Sequence, residues 1–300
     1  MTGKPLPQLQ ATDSADSPVF DTFFESYSRA FILPDEMENR DGFAECLALN
    51  HGPAHAALVA RYGPFRELCV TARDPMDDRL IGGANFIAMP QQSAGRRIVT
   101  ANLNYVFVDE AARRQGRFRP LVASLHKLIG GLFASAADAV LIFIEQNDPL
   151  LLTPQAYARD SGFSGLDQFD RLRIWASLGA LVLDFPYVQP ALSAQQEPDR
   201  RLIYSILGTT GASLDACLLK WHLRNFFGIS VLKGRELDAI AAQQLAALRQ
   251  MSDTGREVAL LDPGPAMAEL DRGKEAELVR REHRPLRDWL KDQSASSMLR

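Results

Sequence analysis

The six residues Ala139 to Ile144 read AVLIFI, an unbroken apolar run too short for an ordinary helix. Such a run marks a β-strand covered on both faces, and a strand of that kind needs helices above and below its sheet. The sequence on either side supplies them. Leu121, Leu125, Leu128, Leu132 and Ala136 recur at helical spacing just before the run. After it, a loop and helix cover roughly 147–163, and a further helix over 166–178 closes at Gly179, where a left-handed residue is expected. Upstream, Ser17-Pro18 gives an N-cap followed by proline at the first helical position. Phe20, Phe23, Phe24, Tyr27 and Phe31 then form a helical stripe expected to face the core.

A second helix is expected over Asp41 to Ala60. Three strands follow: Arg66 to Ala72, Leu80 to Met89 ended by Pro90, and Ile98 to Val108. Leu181 to Tyr187 and Arg201 to Leu207 read as two more. The order α, α, β, β, β, α, β, α, α, β, β places the chain in the α/β (α+β) class, a mixed sheet flanked by helices.

Three regions are expected. Residues 1–16, polar and proline-containing, read as a flexible leader without the apolar stretch of a secretory signal. Residues 17–207 form the main domain, and 208–300 a helical C-terminal region. In that region Leu214, Leu218 and Trp221 suggest one helix, and Leu237, Ile240, Ala241, Leu245 and Leu248 a second. A charged third runs over 265–290, interrupted near Pro285. These stripes must bury against something, so a homodimer through the C-terminal helices is one expectation.

Charge narrows the partners. Lys plus Arg (33) against Asp plus Glu (37) gives −4, which leaves no global basic field, and no nucleic-acid partner is expected. The most lipid-like stretch, Leu121 to Ile144, is interrupted by His126, Lys127 and Asp138, so no membrane span is expected. Cys46, Cys69 and Cys217 are scattered and suit a reducing, cytoplasmic setting. His51 and His55 have i, i+4 spacing, but Gly52-Pro53 between them spoils a helical metal face, and no metal is expected.

The chemistry is concentrated in residues 102–122, NLNYVFVDEAARRQGRFRPLV. A strand runs into a basic loop that opens a helix, an arrangement that points backbone N–H groups at an anion. Gly116 permits close approach of a ligand, and Arg113, Arg114, Arg117 and Arg119 add local positive charge. A pyrophosphate or phosphorylated ribose would suit it.

With Val108 at the strand end, Arg113 at the first motif position and Gly116 at the fourth, the segment resembles the acyl-CoA-binding motif of the GNAT superfamily of N-acetyltransferases. The resemblance spans about residues 18–207. It implies a splayed sheet and an acyl-CoA-dependent N-acyltransferase that moves an acetyl or other acyl group to a small-molecule or peptide amine. Acetyl-CoA or another acyl-CoA would be held by the backbone of Val106, Phe107 and Val108 and by the loop Arg113, Arg114, Gln115, Gly116, Arg117 and Phe118. Asn147 would contact the co-substrate after the next strand. Glu145, at that strand's end, is the candidate base, and Tyr187 a candidate acid. Phe118 stands where the motif usually ends in Gly or Ala, and Trp175 where the family often has a tyrosine acid. These two positions frame a second reading, an acyl-CoA-binding regulatory module without turnover.

Overall fold

A computed structural model describes residues 5–31, 37–93, 95–134, 137–192, 196–270 and 272–297. The chain divides into two compact units. The first holds residues up to Ile142 together with Asn225–Glu236, and the second holds the remainder.

The first unit begins with β1 (Gln8–Thr12), which pairs antiparallel with β2 from Gln8↔Arg73 to Thr12↔Cys69. The expected leader is therefore partly sheet, and Ser124 Oγ donates to the Pro7 carbonyl to hold it. Helix α1 (Pro18–Ala30) starts as its sequence dictates, with the Ser17 hydroxyl accepting from the Val19 amide. The expected second helix is two: α2 (Arg40–Ala48) and α3 (Gly52–Tyr62). Gly52 at φ 66° reverses the chain between them, and Asn50 turns inward to bond the Glu67 backbone.

Strands β2 (Arg66–Arg73), β3 (Leu80–Ser93) and β4 (Arg96–Val108) form an antiparallel meander. Strand β3 runs through Pro90, which pairs with Val99. The β2 ladder ends at Arg66↔Ala88, and a proline is tolerated along the edge left beyond it. A 3-10 turn (Glu110–Ala112) leads to α4 (Phe118–Gly130). Leu132 lies past its end, and Ala136 lies outside the described residues. Strand β5 (Ala139–Asn147) has its first residues in this unit, giving the order β1-β2-β3-β4-β5.

One face of the meander is covered by Phe20, Phe23 and Tyr27 of α1 with Phe43 and Leu47 of α2, packed on Cys69 and Phe107. Burying such side chains contributes roughly 1.5–3 kcal/mol each, enough to fix α1 on the sheet. The aromatic stripe is core.

The second unit takes the rest of β5, then α5 (Pro154–Ser164) and α6 (Gln168–Ser177). Gly179 follows α6 at φ 87°, the left-handed residue expected there. Strand β6 (Leu181–Leu183) is shorter than its sequence suggested and leaves Tyr187 in a loop. Next come β7 (Leu202–Leu207), β8 (Ser213–Leu214), α7 (Ala216–Phe226), whose last two residues belong to the first unit, and α8 (Ala239–Asp253). Strand β9 (Val258–Leu261) precedes α9 (Gly264–Glu269), α10 (Glu275–Arg281) and α11 (Leu286–Ser297).

The sheet order here is β5-β7-β6-β9-β8. The C-terminal region is thus not purely helical, and the charged third helix is three short ones. Phe169 and Leu172 of α6 share one apolar core with Met267, Val279, Trp289 and Leu290. No described helix is long and apolar enough to cross a membrane.

Candidate functional site

The turn between β4 and α4 is built from the strand end outward. The Asp109 amide donates to the Ile81 carbonyl (2.8 Å), and its carboxylate caps the 3-10 turn at Ala111 (3.1 Å). Ser26 Oγ of α1 donates to the same carboxylate (3.1 Å). Asp109 is thereby a structural pin. Arg114 (φ 57°) and Gly116 (φ 67°) both adopt the left-handed region, costly for the arginine. Left-handed residues in a turn bring successive N–H groups onto one concave side, a nest for an anion.

Helix α4 then starts after Arg117, which makes no side-chain cap, and the Leu121 amide closes its first turn on the Arg117 carbonyl (3.1 Å). Arg113 and Arg114 are exposed. Arg117 is not available as a phosphate ligand, since its guanidinium pairs with buried Asp74 at 2.5 Å. The Met76 amide and Arg117 hold the Asp74 carboxyl below the usual carboxylate range. A cleft of about 350 Å³ beside the turn is lined by Ser26, Arg29, Asp109, Glu110 and Arg113.

Strand β4 has a bulge here: Tyr105 pairs with Asn85 and Leu103 with Phe86, leaving Asn104 extra. Asn104, Tyr105 and Val106 are all part-exposed, although the strand before them is buried. The side chains of this stretch are held on both faces, Asn104 by Glu67 and Asn85 and the Tyr105 ring against Tyr27 (4.9 Å) and Phe31 (5.3 Å). The expected backbone contacts at Val106, Phe107 and Val108 follow directly on the bulge. The Phe107 side chain is core, 5.9 Å from the Phe23 ring, so only its main chain can serve a ligand.

Glu145 and Tyr187 lie in the second unit, and they meet: the buried Tyr187 hydroxyl donates to Glu145 Oε1 in a short hydrogen bond. Burial first, and Glu145 second, push the Tyr187 phenol well above its usual pKa. Gln244 of α8 holds the loop, accepting from the Val188 amide (3.0 Å) and donating to its carbonyl (2.8 Å). The Tyr187 ring stacks on Tyr204 of β7 at 4.3 Å, and Tyr204 Oη lies 2.9 Å from His222 Nε2 of α7. Burial depresses His222 to about 3 and raises Tyr204, so both stay neutral. Glu145 itself is part-exposed, the outer end of this polar chain.

Other expected residues fall elsewhere. Asn147 Nδ2 donates to Asp160 Oδ2 (3.3 Å). Gln115 Nε2 donates to the Ala111 carbonyl (2.7 Å), tightening the turn. Trp175 is buried in α6. Among the described residues no group of three or more His, Cys, Asp or Glu is placed to hold a metal.

Two clusters were not expected. His222 and Tyr204 lie on separate elements, and no spacing links them. Glu67 sits buried in β2, and burial pushes its carboxyl up to about 7. A lone acidic residue inside the run Glu67-Leu-Cys-Val-Thr71 was its only signal in the sequence.

No family model matches the sequence, and no curated protein matches it. Solved structures do. An aminoglycoside acetyltransferase from an uncultured soil metagenomic sample, in complex with sisomicin, is 13% identical with a TM-score of 0.30. That match covers 46% of this chain and 76% of the other. The GNAT family N-acetyltransferase YhbS from Escherichia coli, in complex with CoA, is 19% identical (TM-score 0.26; 50% and 68% covered). Arabidopsis thaliana NAA60, in complex with a bisubstrate analogue, is 12% identical (TM-score 0.33; 68% and 99% covered).

Proposed function

We propose that this chain is an acyl-CoA-dependent N-acyltransferase that moves an acetyl or other acyl group to a small-molecule or peptide amine in the cytoplasm. The β4–α4 turn supports this most directly. It combines two left-handed residues with the exposed arginines Arg113 and Arg114 at the start of a helix, an arrangement that suits a pyrophosphate. The part-exposed stretch of β4 that follows the bulge suits a pantetheine arm lying along the strand. A backbone N–H there would polarise the thioester carbonyl.

Proton transfer is assigned to Glu145 in the second unit. Its part-exposed carboxylate is suited to take a proton from an acceptor ammonium; the transfer itself replaces the thioester C–S bond by an amide C–N bond, a second proton of the amine leaving with CoA as the free thiol. Tyr187 is better suited to orienting Glu145 than to protonating the leaving thiolate. Its hydroxyl is buried and already donates to Glu145, and its raised pKa makes it a reluctant acid.

Calorimetry with acetyl-CoA tests the first assignment. Arg114→Glu should weaken binding about tenfold or more with the fold intact, since phosphates lose a charge-assisted donor and meet a like charge. Unchanged affinity would remove the turn from the site. Release of free thiol with a panel of amines tests turnover. A chain that binds acetyl-CoA but releases none would be a binding module.

A further inference from the structure

The buried carboxylate of Glu67 joins three elements that share no sequence neighbourhood. Its Oε1 accepts from Asn85 Nδ2 of β3 (3.1 Å) and Asn104 Nδ2 of β4 (3.2 Å). Its Oε2 accepts from Ser230 Oγ (2.9 Å), within the π-helical turn Phe227–Val231. Asn104 is further fixed, donating to Asn85 Oδ1 (2.9 Å) and accepting from Asn102 Nδ2 (2.9 Å). The Glu67 backbone is itself held on both sides by the Asn50 carboxamide.

Asn104 is the extra residue of the β4 bulge, and the π-turn is a second local irregularity. One carboxylate therefore anchors both irregularities to regular strand. An apolar side chain of the same volume would be cheaper to bury, so stability alone does not account for an acid here. Every partner is a neutral donor that leaves the carboxylate with defined geometry rather than a mobile counterion.

We propose that Glu67 is a positioning residue that sets the shape of the β4 bulge, and through it the strand edge at Tyr105 and Val106 that receives the pantetheine arm. The second half of this statement rests on the acyl-CoA reading above; the first half does not.

The test separates the two. Amide hydrogen exchange is followed at Tyr105 and Val106 in the full chain without ligand, for wild type, Glu67→Met, Glu67→Gln and Ser230→Ala. Glu67→Met should speed exchange at these amides about tenfold while leaving exchange in α4 unchanged, because the bulge loses its tether. Glu67→Gln, which keeps an acceptor of the same shape, should restore most of the protection. Bulge amides that exchange in folded Glu67→Met as in wild type would overturn the proposal. If Glu67→Met does not fold, Ser230→Ala decides: faster bulge exchange supports the tether, and unchanged exchange refutes it. Acetyl-CoA titration of the same variants then reads the second half. A KM raised about tenfold with kcat changed less than threefold in Glu67→Met supports it. Wild-type affinity in a variant whose bulge has loosened shows that the edge does not receive the cofactor. A wild-type chain that binds no acetyl-CoA defeats the acyl-CoA reading and leaves the exchange result standing.

Discussion

Glu145 and Tyr187 are 42 residues apart in sequence and meet as carboxylate and phenol. Glu145→Gln should lower turnover about 10²- to 10⁴-fold with little change in acetyl-CoA affinity, the range for losing a general base. The loss should shrink at high pH, where more acceptor amine is already neutral. A variant with full activity at neutral pH would move proton transfer to solvent. Tyr187→Phe keeps the ring stacked on Tyr204 and should cost roughly tenfold in turnover, with kcat affected more than KM. Glu67 carries a different pH dependence. Its folded carboxyl is raised to about 7, above the unfolded value, so the folded state binds the proton more tightly. Stability from this group is therefore greatest at acid pH and declines as pH rises from the unfolded pKa to about 7. The decline is on the order of 3 kcal/mol. Denaturant melts at pH 5 and pH 8 should show wild type losing stability relative to Glu67→Gln. The difference between the two proteins matters, because Asp148, raised to about 6, and His222, lowered to about 3, titrate in both. Equal pH profiles would mean Glu67 does not titrate in this window.

Among the elements, β3 is closely packed against the backbones of both β4 and β2. A Cβ at Gly82 would sit 2.1 Å from the Phe107 carbonyl oxygen, and one at Gly83 2.7 Å from the Val70 carbonyl. Both obstacles are backbone and cannot rotate away. Gly82→Ala should destabilise by about 2–3 kcal/mol or prevent folding, read as a lower denaturation midpoint. Gly116→Ala is the contrast. Nothing lies within 4 Å of its Cβ, so only the left-handed φ is strained, a cost of about 1–2 kcal/mol. Acetyl-CoA affinity should fall in Gly116→Ala, since relaxing that φ would turn the nest's amides aside. Equal stability losses in the two variants would contradict this geometry.

At the scale of the molecule, the chain leaves the first unit at Ile142, returns for residues 225–236 and leaves again. By the composition of 208–300 alone, truncation after Gly208 reads as removal of an appendage. The structure makes it a cut through both units. It removes β9 and the core residues Met267, Val279, Trp289 and Leu290 from the second unit, and Ser230 with the whole π-turn from the first. The truncated chain should bind a hydrophobic dye and unfold without cooperativity. A soluble chain with a sharp melt and wild-type acetyl-CoA affinity would show that these segments are dispensable.

Local signals were enough for much of this protein. Ser17-Pro18 started α1, Gly179 closed α6, and alternation and apolar runs placed β2, β4 and β5, because caps, turns and strand faces depend on residues a few positions apart. The basic turn after Val108 was legible for the same reason: a strand, a glycine and a helix start are contiguous. The joining of Glu145 to Tyr187 was not, though each was a candidate by itself, nor was the tie from Glu67 to Asn104 and Ser230. Those contacts close loops of 42, 37 and 163 residues. Sequence spacing carries no information across such distances. Only packing decided that Arg117 is neutralised by Asp74, that Phe107 is core, and that a strand forms within residues 1–16 because β2 offers it an edge.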